Sequence, residues 1–264
     1  MSMTELPSSS EFVGVSLRDD HVGIVEMRRP PHNFFDMGML VGLADAFEQL
    51  EKNDQCRSIV LCASGTSFCA GADFSGKRDP IRSPRTVNPI YAEAIRLFAC
   101  TKPSVGAVQG PAIGGGMGLS LVTDFRVTCP EARFSANFNR LGFHPGFGLT
   151  ATLPRLVGVQ KAALMFYTGR RINGEEAAEM GLAEVLTTRD KVRDEAIALA
   201  REMAISAPLA VVSTRATVRA GLVEQVRSAV ARESHEQTLH YMTDDFKEGV
   251  AAMAARREPQ FQGR

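Results

Sequence analysis

Two glycine-rich turns constrain this chain more than anything else in it. Ser67-Phe68-Cys69-Ala70-Gly71-Ala72-Asp73-Phe74 follows the apolar run Ile59-Val60-Leu61, and Gln109-Gly110-Pro111-Ala112-Ile113-Gly114-Gly115-Gly116-Met117-Gly118 follows Val105-Gly106-Ala107-Val108. Glycine is needed where the backbone bends through positive φ and where no Cβ is allowed to crowd a neighbour. Two such turns, each closing a strand-like run and leading into a helix-like segment, can aim two backbone N–H groups at one point. Donors that converge on a carbonyl oxygen stabilise the negative charge developing there during reaction, which is the chemistry of an oxyanion hole. One turn alone would be only a loop. The pair, in this order and at this spacing, is specific.

The periodicity around the turns gives the architecture. Phe12–Leu17 and Val22–Met27 read as strands joined by Arg18-Asp19-Asp20-His21, and Leu40, Leu43, Ala44, Phe47 and Leu50 recur at helical spacing. Arg57–Ala63, Val105–Val108 and Phe125–Thr128 read as short buried strands, with helices over Ile90–Ala99 and Met117–Thr123. Gly76–Val87, rich in Pro, Arg and Ser without a period, reads as a surface loop and a candidate lid. Helices dominate beyond Gly148: Leu149–Leu156, Gln160–Tyr167, Gly174–Met180, then long segments from Lys191. Strand-turn-helix units followed by helices predict an α/β fold, mostly parallel in its sheet, with a helical C-terminus.

A length of 264 residues suits one large domain. Lysine plus arginine and aspartate plus glutamate balance at 30 each, so no global field draws in nucleic acid or a membrane surface. Five cysteines, without a C-x-x-C pair, make neither a disulfide framework nor a zinc ribbon and point to a reducing compartment. Cys62 and Cys69 read as small packing residues. His21, His32, His144, His235 and His240 show no metal-ligand spacing. Met1–Ser10 lacks the pattern of a signal peptide, and no apolar run is long enough to span a bilayer; a cytoplasmic location is expected.

From about Val13 to Gly263 the chain resembles the crotonase (enoyl-CoA hydratase/isomerase) superfamily. The phrases that carry the resemblance are, in one-letter code, SFCAGADF, KPSVGAVQGPAIGGGMGLSLVTDFRV, ARFSANFNRLGFHPGFG, YTGRRINGEEAAEMGLAEVL and DDFKEGVAAMAARREPQFQG. The resemblance implies a spiral of ββα repeats over residues 1–200 that carries an acyl-CoA site. It implies a C-terminal helical region over 201–264 that mediates assembly into a homotrimer or a dimer of trimers. It also implies that the N–H groups of Ala72 and Gly115 polarise a coenzyme A thioester carbonyl. Coenzyme A would enter as part of the substrate, with no tightly bound cofactor. By the same resemblance Ala70, Ala72, Asp73 and Phe74 hold the nucleotide end, and Lys247 and Phe261 fall where a neighbouring subunit reaches it. Arg28, Arg29, Lys77 and Arg78 are candidate phosphate partners through charge-assisted bonds.

The reaction is less legible. Family members that add water across an enoyl double bond use two glutamates, one in a G-G-G-x-E pattern and one in the loop after the A-x-F turn. Those positions are Gly118 and Phe138 here, and neither can move a proton. Ordinary syn-hydration is therefore not expected. Gly118 and Phe138 instead resemble the acyl pocket of a superfamily subset that includes the chlorobenzoyl-CoA dehalogenases. The aspartate that acts as nucleophile in that subset falls on Gly146, so dehalogenation is not implied. Two titratable groups remain. His144, between Phe143 and Pro145-Gly146, is either a proton carrier or a structural loop histidine. Tyr91 either donates a hydrogen bond at the site or packs. Isomerase, lyase or hydrolase chemistry on an acyl-CoA is expected, the alternative being an acyl-CoA-binding subunit without catalysis. Asp73 and Asp124 read as residues that secure their own turns.

Overall fold

The computed structural model describes residues 2–72 and 88–264. Strands β1 (Met3–Leu6), β2 (Val13–Arg18) and β3 (Val22–Met27) form an antiparallel meander. Then the topology changes. Helix α1 (Met37–Glu51) leads to β4 (Ser58–Ala63), parallel to β3, and α2 (Pro89–Ala99) leads to β5 (Ser104–Val108), parallel to β4. The chain continues through β6 (Ala112–Ile113) and α3 (Gly115–Ser120) into β7 (Phe125–Thr128), parallel to β5. Next come β8 (Arg133–Ser135), a 3₁₀ turn over Asn137–Leu141, α4 (Leu149–Val157), α5 (Val159–Thr168), β9 (Ile172–Asn173) and α6 (Gly174–Glu179). β10 (Val185–Leu186), parallel to β7, completes a seven-stranded sheet of order β1-β2-β3-β4-β5-β7-β10, while β6, β8 and β9 form a small second sheet. Helices α7 (Val192–Ala204), α8 (Pro208–Val218), α9 (Leu222–His240) and α10 (Asp244–Ala254) end the chain.

The expected α/β architecture with a helical C-terminus is present. The helical spacing at Leu40, Leu43, Phe47 and Leu50 is the buried face of α1, which packs on β2 and β3. Each such Leu or Phe stabilises the fold by roughly 1.5–3 kcal/mol through burial. Asp36 starts α1 by accepting the Met39 N–H at 2.9 Å, and Lys102 Nζ closes its far end by donating to the carbonyls of Leu50 and Asn53. α7 covers β3, β4, β5 and β7 with alanines spaced four apart, Ala196, Ala200 and Ala204. The polar opening contributes a strand, Met3–Leu6, which pairs along β2. One expectation needs correcting. α3 begins at Gly115 and not at Met117, because the glycines themselves supply its first turn. The expected loop over Gly76–Val87 lies outside the described residues, and Lys77 and Arg78 with it. Among the described residues no single helix is long and apolar enough to cross a membrane.

Candidate functional site

Parallel pairing of β4 with β5 decides where the two glycine turns go. In parallel neighbours both C-terminal ends lie at the same edge of the sheet, so the turn after β4 and the turn after β5 emerge side by side. Backbone bonds then weld them: Cys69 N–H donates to Pro111 O at 3.0 Å and Ile113 N–H donates to Cys69 O at 3.0 Å. Gln109 Nε2 donates to the carbonyls of Ala63, Gly65 and Ser67, all in or next to the first turn. Asn33, fully buried, donates from Nδ2 to the carbonyls of Ser64 and Ser67.

Two glycines of the second turn are required by geometry. Gly114 sits at φ 57°, ψ −122°, a region that side chains do not populate, and its N–H donates to Ser135 O at 2.8 Å. A Cβ on Gly116 would stand 2.0 Å from the carbonyl oxygen of Cys69, so the turns could not approach with any side chain there. Gly115 between them is the first residue of α3, and a first-turn N–H has no acceptor four residues back within its own helix. A Cβ on Gly71, the residue before Ala72, would lie 4.0 Å from Gly115 N. Ala72 itself bridges in parallel to Phe35. The structure thus brings the Ala72 and Gly115 segments together; Asp73 and Phe74 lie outside the described residues.

Phenyl rings surround this junction. The tip of Phe35 is 2.5 Å from a Cβ position on Gly115, and Phe138 reaches within 3.8 Å of one on Gly114. The volume that Gly118 leaves free is not open. The Phe147 ring occupies it, with Phe147 Cβ 2.7 Å from a Cβ position on Gly118. Phe138 also stands edge-on to Phe143, at 5.3 Å between ring centroids.

The two candidate proton carriers differ in what their polar atoms already do. Tyr91 is buried, and its hydroxyl donates to Gln237 Oε1 at 2.6 Å. Burial pushes this phenol well above its ordinary range, so it stays protonated. The same hydroxyl lies 2.0 Å from a Cβ position on Gly146, which makes Gly146 a glycine of close packing. His144 is half-buried, with Nδ1 2.8 Å from Pro145 O. A carbonyl only accepts, so Nδ1 carries the hydrogen and Nε2 of the neutral ring is the acceptor. His240 Nδ1 accepts the His144 backbone N–H at 3.1 Å, and burial lowers the His240 pKa in favour of that neutral form.

Sequence reasoning missed the scaffold of this loop, which is on α9. Glu233, the one buried acidic residue among the described residues, accepts from Gly148 N–H at 2.8 Å. It also accepts from Thr150 N–H at 2.9 Å and Thr150 Oγ1 at 2.6 Å. Burial raises its pKa, against the pull of those donors. Gln237 Nε2 donates to His144 O at 2.9 Å. The signal lay in Glu233, Ser234, Gln237 and Thr238, a polar stripe at i, i+1, i+4 and i+5, but hydropathy alone reads such a stripe as solvated.

Several proposed nucleotide contacts are committed elsewhere or stand apart. Arg29 Nη1 pairs with Asp36 Oδ2 at 3.0 Å and donates to Phe34 O, while its guanidinium lies over the Phe12 ring. Arg28 pairs with Glu26 and Glu5. Ala70 N–H donates to His32 O at 2.9 Å. Lys247, exposed on α10, pairs with Asp244 at 2.8 Å, and Phe261 is exposed beyond that helix. Burial pushes the Cys62 and Cys69 thiols up to about 12, which leaves them un-ionised at neutral pH.

The whole chain has relatives of known name and shape. The 1,2-epoxyphenylacetyl-CoA isomerase of Escherichia coli is 29% identical over 261 residues, which cover 96% of this chain and 99% of that protein. The crotonyl-CoA hydratase of Syntrophomonas wolfei is 29% identical, covering 92% and 95%. A crystal structure of an enoyl-CoA hydratase/isomerase from Pseudoalteromonas atlantica superposes with a TM-score of 0.87 at 29% identity, covering 96% of this chain and all of that one. The sequence model described as Enoyl-CoA hydratase/isomerase matches residues 18–264. With its paired glycine turns, its mostly parallel sheet and this match over nearly its full length, the chain belongs to the enoyl-CoA hydratase/isomerase family.

Proposed function

We propose that the chain is an enzyme that binds an acyl-CoA thioester and stabilises a thioester enolate through the backbone N–H groups of Ala72 and Gly115. The observation that carries this reading is the welding of the two turns at one edge of the sheet, with Gly71 close to Gly115 N. Among the described residues, the groups nearest the Cβ positions of Gly114, Gly115 and Gly118 are phenyl rings and the Asn137 amide, which favours isomerase, lyase or hydrolase chemistry over syn-hydration. Of the two candidate proton carriers, His144 is favoured, since Tyr91 already donates its hydroxyl hydrogen to Gln237. Coenzyme A enters as part of the substrate, with Ala70, Asp73 and Phe74 near its nucleotide end and Lys247 and Phe261 offered by a neighbouring copy. A second reading, binding without catalysis, draws on the same commitment of Tyr91.

Hydration of crotonyl-CoA, followed by loss of the conjugated enoyl absorbance, tests the choice of chemistry. Absence of a general acid or base lowers a rate by roughly 10²–10⁴-fold each, so hydration is expected to be slow. A rate on the order of 10³ s⁻¹, at the upper end of ordinary enzymes, would overturn the reading. Mass spectrometry of an enoyl-CoA panel for cleaved thioester or cleaved carbon chain, with chromatography and enoyl absorbance for shifted double bonds at unchanged mass, separates the three reactions. Thioester binding without any product would support the binding-only reading.

A further inference from the structure

Phe147 has φ 63° and Gly148 follows at 72°. A bulky residue in the left-handed region is uncommon and persists only where its surroundings over-determine it. Those surroundings are supplied by α9. Glu233 holds the N–H groups of Gly148 and Thr150 and the Thr150 hydroxyl, and Gln237 holds the carbonyl of His144. Pinned at both ends, the loop drives the Phe147 ring into the volume above Gly118, where a Cβ would meet Phe147 Cδ1 and Cγ at 2.9 Å each. The ring also reaches within 3.8 Å of a Cβ position on Gly115 and tilts against Phe35 at 5.7 Å between centroids. Phe147 and Phe35 are both almost fully buried, so neither ring has room to retreat.

We infer that Phe147 sets the width of the acyl chamber beside Gly115, admitting acyl groups that are straight at C2 and excluding those branched there, and that Glu233 is the positioning residue that holds it. The inference rests on the acyl-CoA reading above, with the thioester oxygen at the Gly115 N–H. C2 is two bonds from that oxygen, so a substituent on C2 falls within van der Waals reach of whatever borders Gly115. What borders it is a pair of phenyl rings, Phe35, which is bridged to Ala72, and Phe147, whose loop cannot shift without breaking the Glu233 bonds. A straight chain can run past the rings. A methyl branch must displace one of them.

The test compares butyryl-CoA with isobutyryl-CoA, which are isomers that differ only in branching at C2, by isothermal titration calorimetry on the full-length protein, with free coenzyme A as reference. One methyl group in an apolar pocket is worth about 10–200-fold in selection, so the unsubstituted protein should bind butyryl-CoA at least about tenfold more tightly. Phe147→Ala should bring the two affinities within about twofold of each other. Phe147→Leu, which keeps apolar volume without the ring, should narrow the ratio partway and serves if the alanine variant does not fold. Glu233→Gln should narrow the same ratio without touching the ligand, and should add nothing further in the Phe147→Leu background. A general loss of stability would not produce that non-additivity. Equal affinities in the unsubstituted protein, or a ratio unchanged in a folded Phe147 variant, would overturn the chamber while leaving thioester binding intact. A ratio that responds to Phe147 but not to Glu233→Gln would overturn the positioning role. Thioesters that bind no better than free coenzyme A in any variant would overturn the chamber together with the acyl-CoA reading beneath it.

Discussion

At the scale of single residues, the proposed function turns on what Gly115 and its neighbours leave uncovered. Gly115→Pro removes the proposed oxyanion donor, but it also adds atoms where a Cβ would stand 2.5 Å from the tip of Phe35. The proper reference is therefore Gly115→Ala, which makes the same collision with Phe35 and keeps the N–H. Loss of one oxyanion donor lowers turnover on the order of 10²–10³-fold. The proline variant should fall below the alanine variant by that factor in steady-state turnover, once circular dichroism has established that both are folded. Equal rates in the two folded variants would move the oxyanion hole away from Gly115. Gly116 shows why the two turns meet at all: its missing side chain lets the Cys69 carbonyl approach to a distance that no other residue tolerates.

Among elements, the junction that ties the C-terminal helices to the sheet is a partly buried charge cluster. Asp124, just before β7, accepts from the Ser104 N–H at 2.9 Å and from Arg215 Nε at 2.8 Å, and pairs with Arg219. All three charged side chains are 12% exposed. Burial works to raise the Asp124 carboxyl, yet the two guanidiniums prevail and hold it below the usual carboxylate range. A carboxyl depressed in the folded state stabilises the fold fully above its unfolded value of about 3.9 and loses that contribution as pH falls through the lower folded value. Asp124→Asn leaves two arginines partly buried without their counter-charge, which should destabilise the fold by about 3–5 kcal/mol. Chemical denaturation at neutral pH checks the magnitude, and acid titration of both proteins checks the direction: the difference between them should shrink below pH ~4. The sequence identified Asp124 as a residue that secures its turn, and it does, but arginines that lie far along the chain carry most of its role. That division between local and distant holds throughout. The paired turns, α1 and the parallel strands were legible because period and glycine spacing are local signals. Phe147 plugging the space over Gly118, Tyr91 bound to Gln237 and Glu233 under the loop were not, since each depends on α9 returning across the site from far along the chain. Short strands β6, β8 and β9 were missed because two or three residues carry no period.

For the whole molecule, the apolar residues that remain uncovered argue for assembly. Helix α8 has no buried residue, and Ile205, Leu209 and Val218 on or beside it are 72%, 86% and 66% exposed. Beneath it lies a cavity of about 520 Å³ lined by Leu121, Leu156, Met203, Val211 and Leu222 among others, and none of the described glycine-turn residues borders it. Met242, Met253 and Phe261 form a second set of exposed apolar side chains around α10. Two different uncovered surfaces on one chain suit a head-to-tail contact, which closes into a ring when the rotation allows. The expected state is a trimer or a dimer of trimers, with α8 in the contact. Light scattering coupled to size exclusion should give a mass of at least three chains of 28.6 kDa each at micromolar concentration. Leu209→Glu sharpens the test, because a side chain this exposed contributes almost nothing to the fold of one chain. The variant should remain helical by circular dichroism and run as a monomer. A monomeric unsubstituted protein would refute assembly outright, and a Leu209→Glu variant that still assembles would remove α8 from the interface.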